Sequence, residues 1–531
     1  MAAQAGKDAG GEESPPVEAA LCLSPQVCLR LGETGLHLPD SEERRMCGVV
    51  IPDFGPRSRE LAYYDVLWAH VTNDRAAMVI AWAEATRKQV LAVKQARYAL
   101  PESPDDLNVD VDRWVEALLR KAYRNATRRK RAWVLLNPHA GPGGADAIWE
   151  NQVKPIFEAA HMSLTVVRTT CAGEAVGLAA EVDIDDFDIA VPCSGDGLPH
   201  EILNGLARRK DATRALSSLA VCLIPCGSGN AMSCNLYGTH QPSVAALAIV
   251  KGVPTRLDLV SITQGDKRYI SFLSQAMGMV ADLDILTEHL RWMGQHRFTY
   301  GFLKLALQRK TYPCDIACKV EIEDKAEVKE HYRKRIQEND AGGEESSCRG
   351  GGGDGGKDGG SQRSESSLAS DEVNMGLPPL KYGTINDKLP EGWELVPHEK
   401  LGNFYCGNMA YMAPGANFFS AALPNDGMVD LVTVNGDISP AENIKMQLAV
   451  DSGYFFDNIL VDYRKVSAYR IVPRSGDQDG VISIDGERVP FEPLQAEVHQ
   501  GLGLTLSKNG MYEAPGPRNW NKATNTERLM A

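Results

Sequence analysis

Nine residues, "CSGDGLPHE" (193–201), set one carboxylate, Asp196, between Gly195 and Gly197, behind an apolar run and ahead of a helical pattern. Flanking glycines clear side chains from both sides of the acid and let a second molecule approach. A carboxylate placed there can take a proton from an attacking hydroxyl or hold a metal ion. It can also do no more than cap the "HEILNGL" helix that follows. A cap needs no flanking glycines and no sister turns, yet two more Gly-rich turns exist. "NPHAGPGGA" (137–145) and "PCGSGN" (225–230) each follow an apolar run and precede a helical one. Small residues there let backbone N–H groups reach an anion, aided by the helix N-terminus. Neither turn has the G-x-x-x-x-G-K-[ST] or G-x-G-x-x-G spacing, so the P-loop and dinucleotide readings fail.

The elements that must hold these turns begin at Ala132. "AWVLLNP", "SLTVVRTT", "FDIAVPCSGDG" and "LAVCLIPCGSGN" read as strands. "ADAIWENQVKPIFEAA", "GEAVGLAAEV", "HEILNGLARR" and "AMSCNL" read as the helices between them. Apolar strands alternating with helices predict a doubly wound α/β domain with a parallel sheet, whose ligands sit beyond the carboxyl ends of the strands. All three turns fall at those ends. After about Thr255 the pattern becomes short alternating strands, predicting an antiparallel β-sandwich. One helical stretch (281–310) interrupts it, and a Gly/Ser-rich insertion (336–378) has no means of building a core. Upstream, short Val/Ile/Trp/Tyr-rich strands and the pattern "VDVDRWVEALLRKAY" (109–123) predict a β-rich domain closed by one amphipathic helix, a shape that resembles a pleckstrin-homology module.

The expected organisation is a disordered 1–18, a β-rich regulatory domain over 19–125 and a nucleotide-binding α/β domain over 128–256. A substrate-binding β-sandwich follows over 257–512, with a helical lid at 281–310 and the insert at 336–378, then a tail over 513–531.

At 531 residues, 43% of them hydrophobic, the chain has ample material for two or three cores. A net charge of −14 argues against a general nucleic-acid binder. The one dense basic run, "RNATRRKRAW" (124–133), reads as a solvated linker. The 12 cysteines have no C-x-x-C and no paired pattern, so reduced, mostly buried thiols are expected; Cys22 and Cys28 lie where acyl chains could attach. No apolar run approaches 18 residues and the first residues lack a signal-peptide pattern, so no membrane-spanning helix is expected.

"LLNPHAGPGGA", "SGDGLPHEILNG" and "PCGSGNA", in that order, resemble the diacylglycerol-kinase-like catalytic domain. More closely they are similar to the sphingosine kinase (sphingoid long-chain-base kinase) family, and the wording of the central turn, the N-terminal extension and the Gly-rich insert resemble its fungal branch. The resemblance covers roughly 130–320 and 385–510. It implies an ATP-dependent lipid kinase that phosphorylates the 1-hydroxyl of a sphingoid base, with Mg2+ as cofactor and a membrane surface as partner.

The resemblance also implies the residue roles. Asp196 would be the general base, with Ser194, Gly195 and Gly197 on the substrate and phosphate side of its turn. Asn137, Pro138, His139, the loop Thr169, Thr170, Cys171, Ala172 and Gly173, Glu201, and Gly227, Ser228 and Gly229 would bind the nucleotide. Arg291 and Arg297 would hold phosphates. Asp485, Gly486 and Glu487 of "IDGER" would complete the nucleotide site, and Asp284 of "VADLD", with Ser274, would face the sphingoid head group. The magnesium ligands stay open, with Asp196 and Asp485 as candidates through water.

Asp284, Glu288 and Arg291 share one helical face by spacing, as ordinary i,i+4 pairs also would. His139, Pro142, Gly144 and Glu174 depart from the family pattern, where basic residues often stand. The protein is expected in the cytoplasm, peripheral to membranes, and a homodimer is compatible with the resemblance. The alternatives are a diacylglycerol or ceramide kinase of the same fold, a nicotinamide-dinucleotide kinase, and a nucleotide-binding pseudokinase. The intact Asp196 and its glycines argue against the last.

Overall fold

A computed structural model describes residues 20–102, 107–286, 301, 310–348, 376–474 and 480–521, apart from 25–26, 40–44, 47–48, 51–57, 108 and 142. The expected disordered leader, nearly all of the lid, the Gly-rich part of the insert and the end of the tail lie outside these residues. The chain divides into two compact units, Met1–Asn125 and Ala126–Ala531. Among the described residues no helix is long and apolar enough to cross a membrane.

The first unit carries a four-stranded antiparallel sheet, Ala20–Ser24, Val27–Leu31, Gly35–Pro39 and Ser58–Ala62. A three-stranded one follows, Val66–Val71, Ala77–Ala85 and Leu91–Ala99. One helix, Val111–Tyr123, closes it; Asp110 caps its start through the Asp112 and Arg113 amides. The helix buries Trp114, Leu118 and Tyr123, and the Tyr123 hydroxyl donates to the Leu67 carbonyl (2.6 Å). The cysteine expectation needs correcting here. Cys22 and Cys28 face each other across the first hairpin and form a disulfide, so neither is free for acylation. Hairpin register brings the two together; six residues of sequence separation alone gave no sign of it. The other described cysteines are unpaired, and most are buried.

In the second unit, strands β1 (Arg131–Leu136), β2 (Ser163–Arg168), β3 (Ile189–Ser194), β4 (Ala220–Val221) and β5 (Ile224–Pro225) form a parallel sheet. Its order is β2-β1-β3-β4, with β5 continuing along the β3 edge. β1 and β3 are buried almost throughout, as expected for strands covered on both faces. Helices α1 (Glu174–Glu181), α2 (Gly197–Ala207) and α3 (Ala231–Tyr237) start from the turns that follow these strands. The helical run after β1 holds a π-helical segment, Trp149–Val153, between two short α-helical pieces.

The rest of the unit is one curled antiparallel sheet of eleven strands, not two separate layers of a sandwich. Strand switching explains the difference. Asp462–Pro473 pairs first with Val429–Asn435 and then, further along, with Leu494–Ser507. Its other edge pairs with Cys314–Ile322 through register shifts that bend the ladder. The concave side closes over Met277, Phe404, Val466, Tyr469, Ile482 and Leu494.

Helix α4 (Met279–Leu286) follows the strand Ser274–Gly278. Two helices here were not expected. α5 (Lys325–Cys348) continues into the first part of the predicted insert, so residues 336–348 are helical. α6 (Pro440–Asp451) begins with a capping box, in which the Ser439 hydroxyl accepts from the Glu442 amide and the Glu442 carboxylate accepts from Ser439. The letters "SPAE" carried that signal.

Candidate functional site

The three glycine turns meet. A Cβ on Gly227 would stand 2.4 Å from the Gly195 Cα, and one on Gly141, whose φ is +57°, would stand 2.5 Å from the Cys226 carbonyl oxygen. Only glycine permits these backbones to lie so close. The turns are stitched by the Cys226 and Gly227 amides, which both donate to the Ser194 carbonyl (2.8 and 3.1 Å). The Asn230 side chain closes the third turn, accepting from the Gly227 amide and donating to the Gly227 carbonyl (2.9 and 2.7 Å). Asn230 itself sits at φ +54°, where a short polar side chain is tolerated.

Asp196 is at the centre. It occupies the N-cap position of α2, yet its side chain makes no bond to that helix. Instead its two carboxylate oxygens accept from the Ala231 and Met232 amides, 2.9 and 3.0 Å away, at the start of α3. The acid therefore ties the second turn to the third. No cation pairs with it among the described residues. Burial raises the Asp196 pKa above its ordinary value against the two amides, which lower it, and the charge of Asp485 adds to the rise. The result is a carboxylate held still, polarised toward basicity, at the rim of the sheet.

The carboxylate of Glu201, on the next turn of α2, accepts from the Gly173 and Ala175 amides (3.0 and 3.1 Å). Glu174 accepts from the Thr170 amide and hydroxyl and from the Cys171 amide. Two acids thus fix the Thr169–Gly173 loop from opposite sides, and Glu174 does so where the family often has histidine. Thr169 is buried and donates to the Leu136 carbonyl, whereas Thr170, Cys171, Ala172 and Gly173 are exposed. In the first turn Asn137 accepts from the His139 amide (3.0 Å), Pro138 is half-buried and His139 is exposed. Ser194 is buried and donates to the Gly195 carbonyl, while Ser228 and Gly229 are half-buried beside Asp196. A Cβ on Gly229 would lie 3.1 Å from the Asp196 Oδ2.

Asp485, expected at the nucleotide site, also anchors the fold. Asp485 and Gly486 form the two-residue turn of the hairpin Ile482–Ile484/Glu487–Val489, with φ of 52° and 87°. The Asp485 side chain turns inward with no exposure. It accepts from the Ser271 hydroxyl, from the Phe272, Leu273 and Ser274 amides, and from or with the His200 ring at 2.8 Å. Five partners occupy the carboxylate, so it does not suit a metal ion. Burial, the largest influence on His200, lowers its pKa, but the hydrogen bond and charge of Asp485 outweigh it and hold it above the usual value. Glu487 is exposed and its Oε1 lies 3.5 Å from where a Cβ on Gly197 would be, so this residue, not Asp485, faces the central turn.

Residues the sequence reading missed complete the frame. Asn204 of α2 exchanges hydrogen bonds with the Ile270 backbone (2.8 and 2.9 Å), and Asn235 of α3 does the same with Tyr411 (2.7 and 2.9 Å). They clamp the parallel sheet to the curled one. Asp284 lies on α4, and Arg291 and Arg297 fall outside the described residues. Asp282, two residues earlier, is buried and accepts from the Tyr312 hydroxyl (2.5 Å) and the Lys310 ammonium (3.3 Å). Ser274 is buried and spends its backbone on Asp485. No cluster of three or more His, Cys, Asp or Glu forms among the described residues. Magnesium, which favours one or two carboxylates plus substrate phosphates, is compatible with Asp196 and not with Asp485.

Comparison with known proteins places this geometry. The diacylglycerol kinase catalytic domain family matches residues 131–262, and a family described only as a domain of unknown function matches 19–124. Sphingoid long chain base kinase 5 of Saccharomyces cerevisiae is 36% identical over 443 residues, covering 78% of this chain and 64% of that protein's length. Sphingoid long chain base kinase 4 of Schizosaccharomyces pombe is 35% identical over 396 residues, covering 75% and 79%. Sphingosine kinase 1 of Homo sapiens is 28% identical over 402 residues, covering 72% and 92%. Among solved structures, a putative diacylglycerol kinase from Bacillus anthracis superposes with a TM-score of 0.47 at 16% identity, covering 72% of this chain and 96% of that one.

Proposed function

Since the chain belongs to the sphingoid long-chain-base kinase family, we propose that it transfers the γ-phosphoryl group of ATP to the 1-hydroxyl of a sphingoid base. The observation that carries the reading is the Asp196 carboxylate, unpaired with a cation among the described residues and fixed where three glycine-rich turns converge. Asp196 takes the proton of the lipid hydroxyl, the freed oxygen attacks the γ-phosphorus, and ADP leaves with the electron pair of the broken P–O bond. Such transfer depends on positioning and charge more than on covalent chemistry. The turns at 137–145 and 225–230 supply backbone donors to the phosphates. Asn137 and the Thr169–Gly173 loop, held by Glu174 and Glu201, border the nucleotide.

Magnesium bound with ATP neutralises charge on the phosphates, and Asp196 is the residue here that suits it. Arg291 and Arg297 are assigned to the same phosphates. Asp284 is assigned to the ammonium next to the reacting hydroxyl, a contact diacylglycerol and ceramide cannot make because they have no free amine. A lipid substrate puts the enzyme at cytoplasmic membrane surfaces.

The test presents purified protein with labelled Mg-ATP and, separately, sphinganine, phytosphingosine, diacylglycerol and ceramide in mixed micelles. Label in the free bases alone is expected, and Asp284→Asn should erase that preference. Label in diacylglycerol or ceramide instead overturns the substrate, and no label anywhere returns the pseudokinase reading.

A further inference from the structure

Helix α4 reads "MVADLDIL": apolar residues fall all round it, and its only polar residues are Asp282 and Asp284. A helix with one apolar stripe turns to bury that stripe. A helix that is apolar on every side gains about as much from one rotation as from another. A buried polar contact then has to set the rotation, as one buried polar residue sets the register of a coiled coil.

Asp282 makes such a contact. It is 3% exposed, and its Oδ2 accepts from the Tyr312 hydroxyl (2.5 Å) and the Lys310 ammonium (3.3 Å). Its Oδ1 is buried with no hydrogen-bond partner among the described residues, so one oxygen carries the hold. Both donors are themselves fixed. The Tyr312 amide donates to the Leu401 carbonyl (2.6 Å), and a Cβ on Gly436 would stand 2.3 Å from the Lys310 carbonyl oxygen. The Lys310 ammonium also lies 4.7 Å from the centre of the Tyr312 ring. The start of α4 has its own tether. The Val280 amide donates to the Asn403 side chain (3.1 Å), and a Cβ on Gly278, at φ +104°, would stand 2.5 Å from the Gly402 carbonyl oxygen. A helix tethered at its first turn can still pivot, and the Asp282 contact removes that freedom.

Position 284 comes two residues later, about 200° round the helix. A pivot of about 20° carries a group about 6 Å from the helix axis through about 2 Å. That displacement breaks a hydrogen bond. We infer that Asp282, clasped by Tyr312 and Lys310, is a positioning residue that sets the rotation of α4 and with it the place of the Asp284 carboxylate against the substrate ammonium. The inference rests on the assignment of Asp284 to that ammonium. Asp282 acts through Asp284 and not on the lipid itself.

The test is a double-mutant cycle on the full chain, read as KM for sphinganine in mixed micelles and KM for ATP. Asp282→Asn should raise the sphinganine KM about tenfold and leave the ATP KM within about twofold of wild type. Tyr312→Phe removes one hydrogen bond and keeps the Lys310 pair. It should raise the sphinganine KM about threefold, and it carries the test should Asp282→Asn unfold early. In an Asp284→Asn background, where the ammonium contact is already lost, each change should add less than about twofold. A residue that only supports the fold would shift both KM values and cost the same factor in either background. Wild-type sphinganine KM in both Asp282→Asn and Tyr312→Phe, or equal losses with and without Asp284, overturns the inference and leaves the kinase assignment standing. A wild-type KM in Asp284→Asn, or no phosphorylation of sphinganine at all, removes the underlying assignment and this inference with it.

Discussion

The second unit holds two sets of carboxylates that are kept in opposite ways. In the curled sheet, Asp426 and Asp430 flank Lys465, whose side chain has no exposure and whose ammonium lies 2.9 and 3.2 Å from them. His331 of α5 adds a contact to Asp426 at 3.0 Å. Burial, the largest influence on Lys465, lowers its pKa, and the two acids outweigh it and raise it. At the turns, Asp196 has backbone amides and, among the described residues, no cation. The first arrangement sets charge against charge. The second holds an acid in place and leaves its basicity available. Asp485 belongs with the first kind despite its place near the turns, because His200 and three amides satisfy it. A buried acid points to chemistry when it lacks a counter-charge, and to architecture when it has one.

Four variants can break or sharpen that contrast. Asp196→Asn should keep the turns folded, because an amide oxygen still accepts from one amide. It should lower the phosphorylation rate about 10²- to 10⁴-fold, the usual contribution of a general base, in a steady-state assay. A residual rate near wild type would move Asp196 to the architectural class. Lys465→Met should cost about 3–5 kcal/mol of stability in denaturant unfolding, since it strands two buried carboxylates. Loss of activity at full stability would instead give that cluster a chemical role. Gly227→Ala forces a Cβ onto the Gly195 backbone and should cost about 1–3 kcal/mol along with activity. An active, stable alanine variant would contradict the convergence of the turns.

His200→Gln tests the Asp485 pair through pH. The folded pKa of His200 is raised, so its stabilisation is fully present below the unfolded value of about 6.5 and is lost as pH rises through the folded value. The variant should lose about 1.5 kcal/mol on the acidic side and little on the alkaline side in thermal melts. A loss of the same size at every pH would show that the ring acts by packing alone.

The three turns and the parallel sheet were legible because their signals are local: apolar runs of five or six residues ending in glycines. What tied the turns together was not, since Gly227 on Gly195 and Asp196 on α3 are contacts across 32 to 36 residues of chain. The inward hold on the Asp485 side chain was not legible, because "IDGER" carries two meanings. Asp-Gly between alternating residues is a strong hairpin signal, and the inward side chain follows from that turn's backbone. The curled sheet was read as a sandwich because alternation reports which residues face in, not that strand Asp462–Pro473 changes partner midway. The helix α6 was missed although its capping box was in the letters, because its apolar residues run all round it. The Cys22–Cys28 pair depends on hairpin register, which the spacing does not state.

The most direct measurement is the pH dependence of kcat/KM for a water-soluble short-chain sphingoid base. Burial raises the Asp196 pKa, so the rate should fall on the acidic side with a midpoint above the ordinary aspartate value of 3.8, and the residual rate of Asp196→Asn should show no such limb. A wild-type rate that stays level down to that ordinary value, or an acidic limb that survives in Asp196→Asn, would contradict the account.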